Sequence, residues 1–278
     1  MFVLIAACGS SSSPTHGSDA TMTGDAAPTP TTTIAAARQA YTGTGTSASI
    51  TVNAVVTAVQ GPTGDQVIWY VEDPAGGAYS GISVFCDPLA ATTCPCKASC
   101  TPHVEAPALN TLVSITGTIS AYHGQLQLEP TAQTVLKTGS TPPPAYIASA
   151  SDLAESATSP YQGVYVKFAG SATVDDLTPA ALYDTECNPT AGSGMPLCSG
   201  CAPPTYAGFE VNGPGSDAFF VEETFFPFVP LASSPECTSQ PGAVAVTMAE
   251  TFPFIAGILD VDPYAMKQVL SPVQPSDY

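Results

Sequence analysis

The sequence predicts an all-β chain in which two similar small barrels follow each other. A phrase of two aromatic residues, a valine and two carboxylic acids occurs twice, at residues 69–73 and 219–223. Apolar runs of strand length flank both copies, and turns rich in glycine and proline separate the runs. With 278 residues, the chain is long enough for two domains that each have one core.

Residues 35–138 are predicted to form the first domain. Alternating apolar and polar residues, many of them β-branched, predict strands over residues 49–59, 67–73, 79–85, 113–121 and 125–130. In the second of these strands Trp69 and Val71 share a wholly apolar face, which we expect to point into the core. Tyr70 and Glu72 then lie on the opposite face of the strand.

Residues 139–278 are predicted to form the second domain, which a stiff proline run at 142–144 connects to the first. Residues 148–157 have a weak helical pattern. Strand patterns follow at residues 160–168, 207–211, 219–223, 247–261 and 265–272. A long insertion at about 175–204 separates the first of these strands from the second.

Five short strands that close with a hairpin are what a Greek-key barrel of the OB type requires. The runs at 55–59, 69–74 and 117–120 resemble the OB-fold modules of bacterial secreted and surface proteins. Such modules often accompany extracellular nucleases of the endonuclease/exonuclease/phosphatase type. The resemblance covers most of both domains and implies two tandem OB-like barrels after a disordered N-terminal tether.

The N-terminus resembles the end of a bacterial lipoprotein signal peptide. In residues 1–8 an apolar run and small residues precede Cys8, which is predicted to be the lipidated residue. The run is too short to span a bilayer. Residues 9–34 are dominated by small and polar residues and are predicted to be a flexible tether. We therefore expect an exported protein that is anchored to the outer membrane or cell surface by its lipid. The alternative is a buried or free N-terminal cysteine.

The remaining eight cysteines fall into two sets of four, one in each predicted domain. The sets are Cys86, Cys94, Cys96 and Cys100, and Cys187, Cys198, Cys201 and Cys237. An even number per domain in an exported chain favours disulfides within each domain, with three connectivities open in each set. Zinc is the alternative, but neither set has the two C-x-x-C pairs of a four-cysteine site. The sequence therefore predicts no metal and no cofactor.

The charge of the chain limits its partners. The sequence has 5 Lys and Arg against 23 Asp and Glu, a formal net charge of −18. Proteins that bind nucleic acids neutralise phosphates with basic side chains, so nucleic acid is an unfavourable partner. His103 and His123 belong to no recognisable catalytic motif, and paired acids such as 175–176 and 260/262 are expected to be solvated surface, with bound calcium as the alternative.

The predicted ligand surface follows from the OB-like reading, because such barrels bind through the face of strands 2 and 3 and the adjoining loops. By register or by their position in turns, eight residues are predicted to contact a ligand: Tyr70, Glu72, Tyr79, Tyr122, His123, Phe220, Glu222 and Tyr264. Exposed aromatic rings would stack on a saccharide or contact a protein ligand. The alternative is that these rings cover barrel ends or the joint between the two domains.

These observations predict a lipid-anchored surface protein that binds or scaffolds and has no catalysis of its own. One alternative is an accessory module of a metal-dependent extracellular hydrolase or nuclease, or a remote member of that class. The other is weak binding of single-stranded nucleic acid, which the charge disfavours.

Overall fold

The computed structural model describes residues 32–60, 67–86, 104–154, 159–179, 208–212, 218–222, 224–225, 228–229, 244–262 and 267–278. These residues form a closed barrel, a curled eight-stranded sheet and a small two-stranded sheet. The predicted all-β fold class is therefore confirmed. Residues 1–31, which contain the predicted leader and nearly all of the tether, lie outside the described residues.

The first domain is a five-stranded barrel that follows a short helix, α1 (Ile34–Ala40). Its strands are β1 (Ile50–Val59), β2 (Val67–Glu72), β3 (Gly81–Cys86), β4 (Leu112–Tyr122) and β5 (Gln125–Lys137). The barrel order is β1-β2-β3-β5-β4, with β4 returning to β1. The β3–β5 pair is parallel and the other pairs are antiparallel. This is the predicted OB-like connectivity, and all five predicted strands are present.

Local sequence explains most of this barrel. Trp69 and Val71 are fully buried in its core, as the alternation of β2 predicts. His123 and Gly124 form the two-residue turn between β4 and β5, with φ of 48° and 87°, as a type I′ hairpin requires. The helix α1 is an addition to the predicted elements: it starts at the predicted boundary between the tether and the first domain, where no helix is predicted from the sequence. The Thr33 hydroxyl caps it by accepting from the Ala36 N–H at 3.1 Å.

The second domain begins with β6 (Tyr146–Ala148) and a short helix, α2 (Ala150–Ala154), which lies where a weak helical pattern was predicted. Its remaining strands are β7 (Tyr165–Phe168), β8 (Ala172–Asp176), β9 (Gly208–Asn212), β10 (Ala218–Glu222), β11 (Phe228–Val229), β12 (Val244–Ala245), β13 (Thr251–Phe252), β14 (Ile255–Asp262) and β15 (Lys267–Ser271). A 3-10 turn at Pro275–Asp277 follows.

The main sheet of this domain repeats the pairing of the first barrel. Its order is β13-β8-β9-β10-β15-β14-β7-β6. Since only residues 169–171 separate β7 from β8, the two are halves of one interrupted strand. With that strand first, the order becomes 1-2-3-5-4-1, and again the third and fifth strands, β10 and β15, are parallel. The second domain is thus also OB-like.

The repeated aromatic phrase does not mark equivalent strands, which corrects the correspondence drawn from the sequence. Residues 69–73 end the second strand of the first barrel, whereas 219–223 begin in β10, the third strand of the second barrel. Both copies bury their first aromatic residue and their valine, so period-two alternation makes them look alike. Alternation identifies the inward face of a strand but carries no information about its place in the sheet.

A third apolar cluster lies apart from the two barrel cores. It consists of Ala58, Tyr70 and Ile258, with Ile68, Tyr165, Phe225 and Val273 packed against it. Because these residues come from both domains, the cluster marks where the barrels meet. We call this contact region the joint.

Candidate functional site

The joint contains buried polar groups from both barrels whose pKa values are raised by burial. It is built from the outer face of β2 in the first barrel and from β7 and β14 in the second. Its central contact joins Tyr70 to Asp260, whose side chains are 3% and 5% exposed. The Tyr70 hydroxyl donates a hydrogen bond to Oδ2 of Asp260. Gln125 Nε2 donates to the same oxygen at 2.6 Å, and the Val261 N–H donates to Oδ1 at 2.7 Å.

Burial changes the protonation of both partners. Burial raises the pKa of Asp260 to about 6, although its hydrogen-bond donors and Arg38 oppose the rise. Burial, together with the charge of Asp260, raises the pKa of Tyr70 well above its ordinary range. The phenol is therefore a neutral donor to Asp260 over the physiological pH range.

Glu72 forms a second contact across the joint and is fully buried. Its Oε1 accepts from the Ser80 hydroxyl at 2.9 Å within the first barrel. Its Oε2 accepts from the Tyr165 N–H of the second barrel at 3.1 Å. Burial raises the pKa of Glu72 to about 7, and these two hydrogen bonds offset part of the rise.

Arg38 of α1 connects the backbones of the two domains. Its Nη1 donates to the carbonyl oxygen of Gly81 at 2.6 Å and to that of Gln162 at 2.5 Å. The guanidinium lies 5.6 Å from the centre of the Tyr79 ring, within cation–π range. Burial lowers the pKa of Arg38 to about 10, while the charge of Asp260 opposes the decrease. Arg38 is not among the site residues predicted from the sequence, because it precedes the first predicted strand and belongs to no motif.

The edge of the joint is formed by turns. The Tyr79 N–H donates to the carbonyl oxygen of Pro160 at 2.6 Å. On the other side, Gln162 Nε2 donates to the carbonyl oxygen of Gly124 in the β4–β5 hairpin at 3.2 Å. The segment that leads into β7 is therefore held between two loops of the first barrel.

The structure corrects the predicted roles of Tyr70 and Glu72. Both side chains point away from the core of the first barrel, as the register predicts, but the second barrel covers them. They are not accessible to a ligand in this arrangement. The alternative reading, in which such residues cover the joint between the domains, describes them correctly. Tyr79 is half-buried at the edge of the same joint.

Other predicted ligand residues remain partly or fully accessible. Tyr122 is 49% exposed, and its ring centre lies 4.4 Å from that of the exposed His123. Phe220 and Glu222 are partly exposed on the outer face of β10. The Glu222 carboxylate accepts from the Thr224 hydroxyl at 2.8 Å. Cys8 and Tyr264 lie outside the described residues.

Phe220 belongs to a row of outward-facing residues that runs from the joint to the open side of the second barrel. Cross-strand pairs connect Asp260 to Val269, Val269 to Phe220, Phe220 to Glu210 and Glu210 to Asp176. The first two of these residues are buried, and the other three are partly exposed. Burial raises the pKa of Glu210, and the charges of Asp175 and Asp176 raise it further.

One predicted disulfide cysteine, Cys86, is described. It is buried at the end of β3 and is disulfide-bonded. The other seven predicted disulfide cysteines lie outside the described residues: Cys94, Cys96, Cys100, Cys187, Cys198, Cys201 and Cys237. The pairing pattern therefore stays a prediction.

Within the described part of the chain, no group of three or more His, Cys, Asp or Glu residues is arranged to hold a metal ion. The helices found there are all too short or too polar to cross a membrane. No protein-family model matches the chain, and no curated protein is significantly similar to it.

Proposed function

We propose that the chain is an exported, lipid-anchored protein that binds or scaffolds at the cell surface and has no catalysis of its own. Cys8 would carry the lipid, and the following tether would hold the two barrels away from the membrane. Disulfides within each domain would stabilise loops of the exported chain. The ligand would be a saccharide or a protein segment.

The exposed tip of the β4–β5 hairpin is the observation that carries the binding role. The loop between strands 4 and 5 adjoins the ligand face of OB barrels. Here that loop presents the Tyr122 ring, 49% exposed and packed edge-on against His123. The type I′ turn and the hydrogen bond from Gln162 to Gly124 hold the tip in place. An aromatic ring fixed before binding loses little conformational entropy when it stacks on a ligand.

The acidic surface favours a neutral ligand with many hydroxyl groups over nucleic acid. Phe220 lies beside Glu210 in the cross-strand register, so a partly exposed ring and a carboxylate share one face. Carboxylates accept hydrogen bonds from hydroxyl groups, whereas they repel phosphates. A net charge of −18 adds to that repulsion.

The use of the buried acids supports a scaffold over a hydrolase. Carboxyl groups with raised pKa values, such as Glu72 and Asp260, are the usual candidates for acid–base catalysis. Here Tyr165 and Ser80 donate to Glu72, and Tyr70 and Gln125 donate to Asp260. All of these bonds except that of Ser80 connect the barrels, and together they account for the burial of both acids without a substrate.

Binding is tested by titrating neutral oligosaccharides and single-stranded DNA at low salt into the wild type and into Tyr122→Ala. We expect saccharide binding in the wild type and a loss of at least about tenfold in the variant, as for a stacked ring worth about 1–3 kcal/mol. Ile147→Ala removes a side chain that is 59% exposed on β6 and serves as the control. Equal affinity in Tyr122→Ala and the wild type would contradict the hairpin site. Binding of the DNA alone would overturn the proposed ligand class.

A further inference from the structure

Acidic groups from both barrels converge in the joint. Glu72 of the first barrel and Asp260 of the second are both at least nine-tenths buried. The charge of Glu222 on β10 of the second barrel also acts on Tyr70 of β2. Arg38 is the cation that acts on Asp260, but its Nη1 donates to two backbone carbonyls. When the acids are ionised, the joint therefore holds more negative than positive charge.

We propose that the joint is a pH-controlled clasp, which holds the barrels together when its carboxyl groups are protonated and loosens when they ionise. This inference goes beyond the binding role proposed above and does not depend on it. Loosening would uncover the outer face of β2, where Tyr70 and Ile68 lie, and the neighbouring Ala58 of β1. In an OB barrel this strand belongs to the ligand face, so the second barrel masks a surface suited to binding.

The groups that face the two acids come from several elements, and together with the two ionised acids they carry a net negative charge. Tyr165 on β7 faces Glu72, and Asp73 follows it on the chain and carries a like charge. Tyr70 on β2, Gln125 on β5 and Arg38 on α1 act on Asp260. Further along β14, Asp262 is paired in register with Lys267 of β15. Tyr79, in the turn between β2 and β3, faces the Arg38 guanidinium.

The direction of the pH effect follows from proton binding. The pKa values of about 7 for Glu72 and about 6 for Asp260 lie above the ordinary values of 4.5 and 3.8. The closed joint therefore binds more protons than the loosened one between about pH 4 and pH 7. Linkage requires that closure be fully favoured below the ordinary values, weaken as pH rises through the raised values, and then level off.

The backbones of the two barrels are in such close contact that a small displacement of either barrel alters the joint. Gly81 and Gly163 meet so tightly that a Cβ on Gly81 would lie 2.0 Å from the Gly163 carbonyl oxygen. Gly81 is also the cross-strand partner of Glu72. We therefore expect a displacement that lets water reach Glu72 to separate these two glycines as well, so that hydration of the carboxylate accompanies opening of the joint.

Amide hydrogen exchange of the disulfide-intact full chain tests the clasp. The Tyr165 N–H donates to Glu72 across the joint, whereas the Val71 N–H lies in the first barrel. After correction for the pH dependence of intrinsic exchange, we expect protection at Tyr165 to fall at least about tenfold from pH 5 to pH 8, since one unit of pKa corresponds to that factor. Protection at Val71 should stay constant. In Glu72→Gln combined with Asp260→Asn, both side chains are neutral, and protection at Tyr165 should no longer depend on pH.

Two controls separate the clasp from other titrations. Asp175→Asn neutralises an exposed carboxylate on β8 and should leave the pH response unchanged. His123→Gln removes the imidazole of the nearby hairpin and should also leave it unchanged. Constant protection of Tyr165 in the wild type across this range would overturn the proposal. A parallel fall at Val71 and Tyr165 would overturn it too, because it would mean that the whole first barrel opens.

Discussion

Gly81 in the first barrel and Gly163 in the second touch backbone to backbone, and neither position has room for a side chain. A Cβ on Gly81 would lie 2.0 Å from the Gly163 carbonyl oxygen, far inside van der Waals contact. A Cβ on Gly163 would lie 2.9 Å from the backbone of Gly81, and φ at Gly163 is +74°. This contact brings Tyr165 within hydrogen-bond distance of Glu72 and Arg38 within reach of both backbones.

We therefore expect Gly81→Ala to separate the barrels. The added methyl group meets backbone atoms of Gly163 and Val164, which cannot rotate away as a flexible side chain would. Small-angle scattering should report a larger radius of gyration, while near-ultraviolet circular dichroism retains the signal of the Trp69 core. In Gly77→Ala the methyl group meets nothing within 4 Å, so this control tests only the strain of a positive φ. An unchanged radius in Gly81→Ala would show that the joint yields without opening.

Arg38 should stabilise the joint through its two backbone contacts. Arg38→Ala leaves the carbonyl oxygens of Gly81 and Gln162 without this donor and removes the ring contact with Tyr79. Losing hydrogen bonds to a charged donor costs about 1.5–3 kcal/mol each, before water replaces the donor. We expect the free energy of unfolding in urea to fall by about 2–4 kcal/mol. Lys137→Ala, at the end of β5, removes a cation outside the joint and should change stability by less than about 0.5 kcal/mol.

Tyr70 should control the titration of Asp260. In Tyr70→Phe the carboxyl group loses a hydroxyl donor but keeps Gln125 and the Val261 N–H. Donors favour the ionised form, so the pKa of Asp260 should rise above its value of about 6. The pH range over which the joint loosens should move upward with it. Carbon-detected NMR titration of the Asp260 carboxyl group measures this shift; Tyr122→Phe is the control, and a decrease in the pKa would contradict the assigned hydrogen bond.

The sequence predicts the first barrel well because its information is local. Alternation places Trp69 and Val71 inside, and the structure buries both completely. The same alternation places Tyr70 on the outer face of the first barrel, which is correct. It does not predict that the second barrel covers this face and buries the side chain. Its burial depends on Asp260, 190 positions further along the chain, and no local pattern encodes that distance. Polar residues with buried partners in another domain look the same in a sequence as solvated ones.

The sequence carries only weak signals for the residues that connect the barrels. The pair Asp260 and Asp262 is expected from the sequence to be solvated surface, which is wrong, since their side chains are only 5% and 8% exposed. Gln125 is recognisable only as the polar start of an alternating strand. Arg38 had a weaker signal: an arginine in a chain with 5 basic residues, four positions after the first residue of a capped helix. The helix was not predicted because the small and polar residues before Thr33 are typical of a flexible tether. A threonine followed by small helix-forming residues was the local clue.

Trp69 is the sole tryptophan of the chain, so its fluorescence tests the register of β2 directly. Its side chain is fully buried, and we expect blue-shifted emission that acrylamide does not quench. The indole N–H is also buried and has no hydrogen-bond partner among the described residues. Ligands at the Tyr122 hairpin should leave the emission unchanged. Red-shifted, quenchable emission would mean that the strand is inverted by one residue, with Tyr70 in the core.

Lipidation at Cys8 predicts how the protein distributes between membrane and soluble fractions. With an export leader in a bacterial host, the wild type should partition into the detergent phase and incorporate labelled palmitate. Each buried methylene contributes about 0.8 kcal/mol, so a cysteine with two or more acyl chains remains bound whereas a chain without them does not. Cys8→Ser should therefore appear in the soluble fraction with both barrels folded, and Ser11→Ala should behave as the wild type. A Cys8→Ser protein that still sediments with the membrane would place the anchor elsewhere, and the tether would then have to be reconsidered as a binding segment.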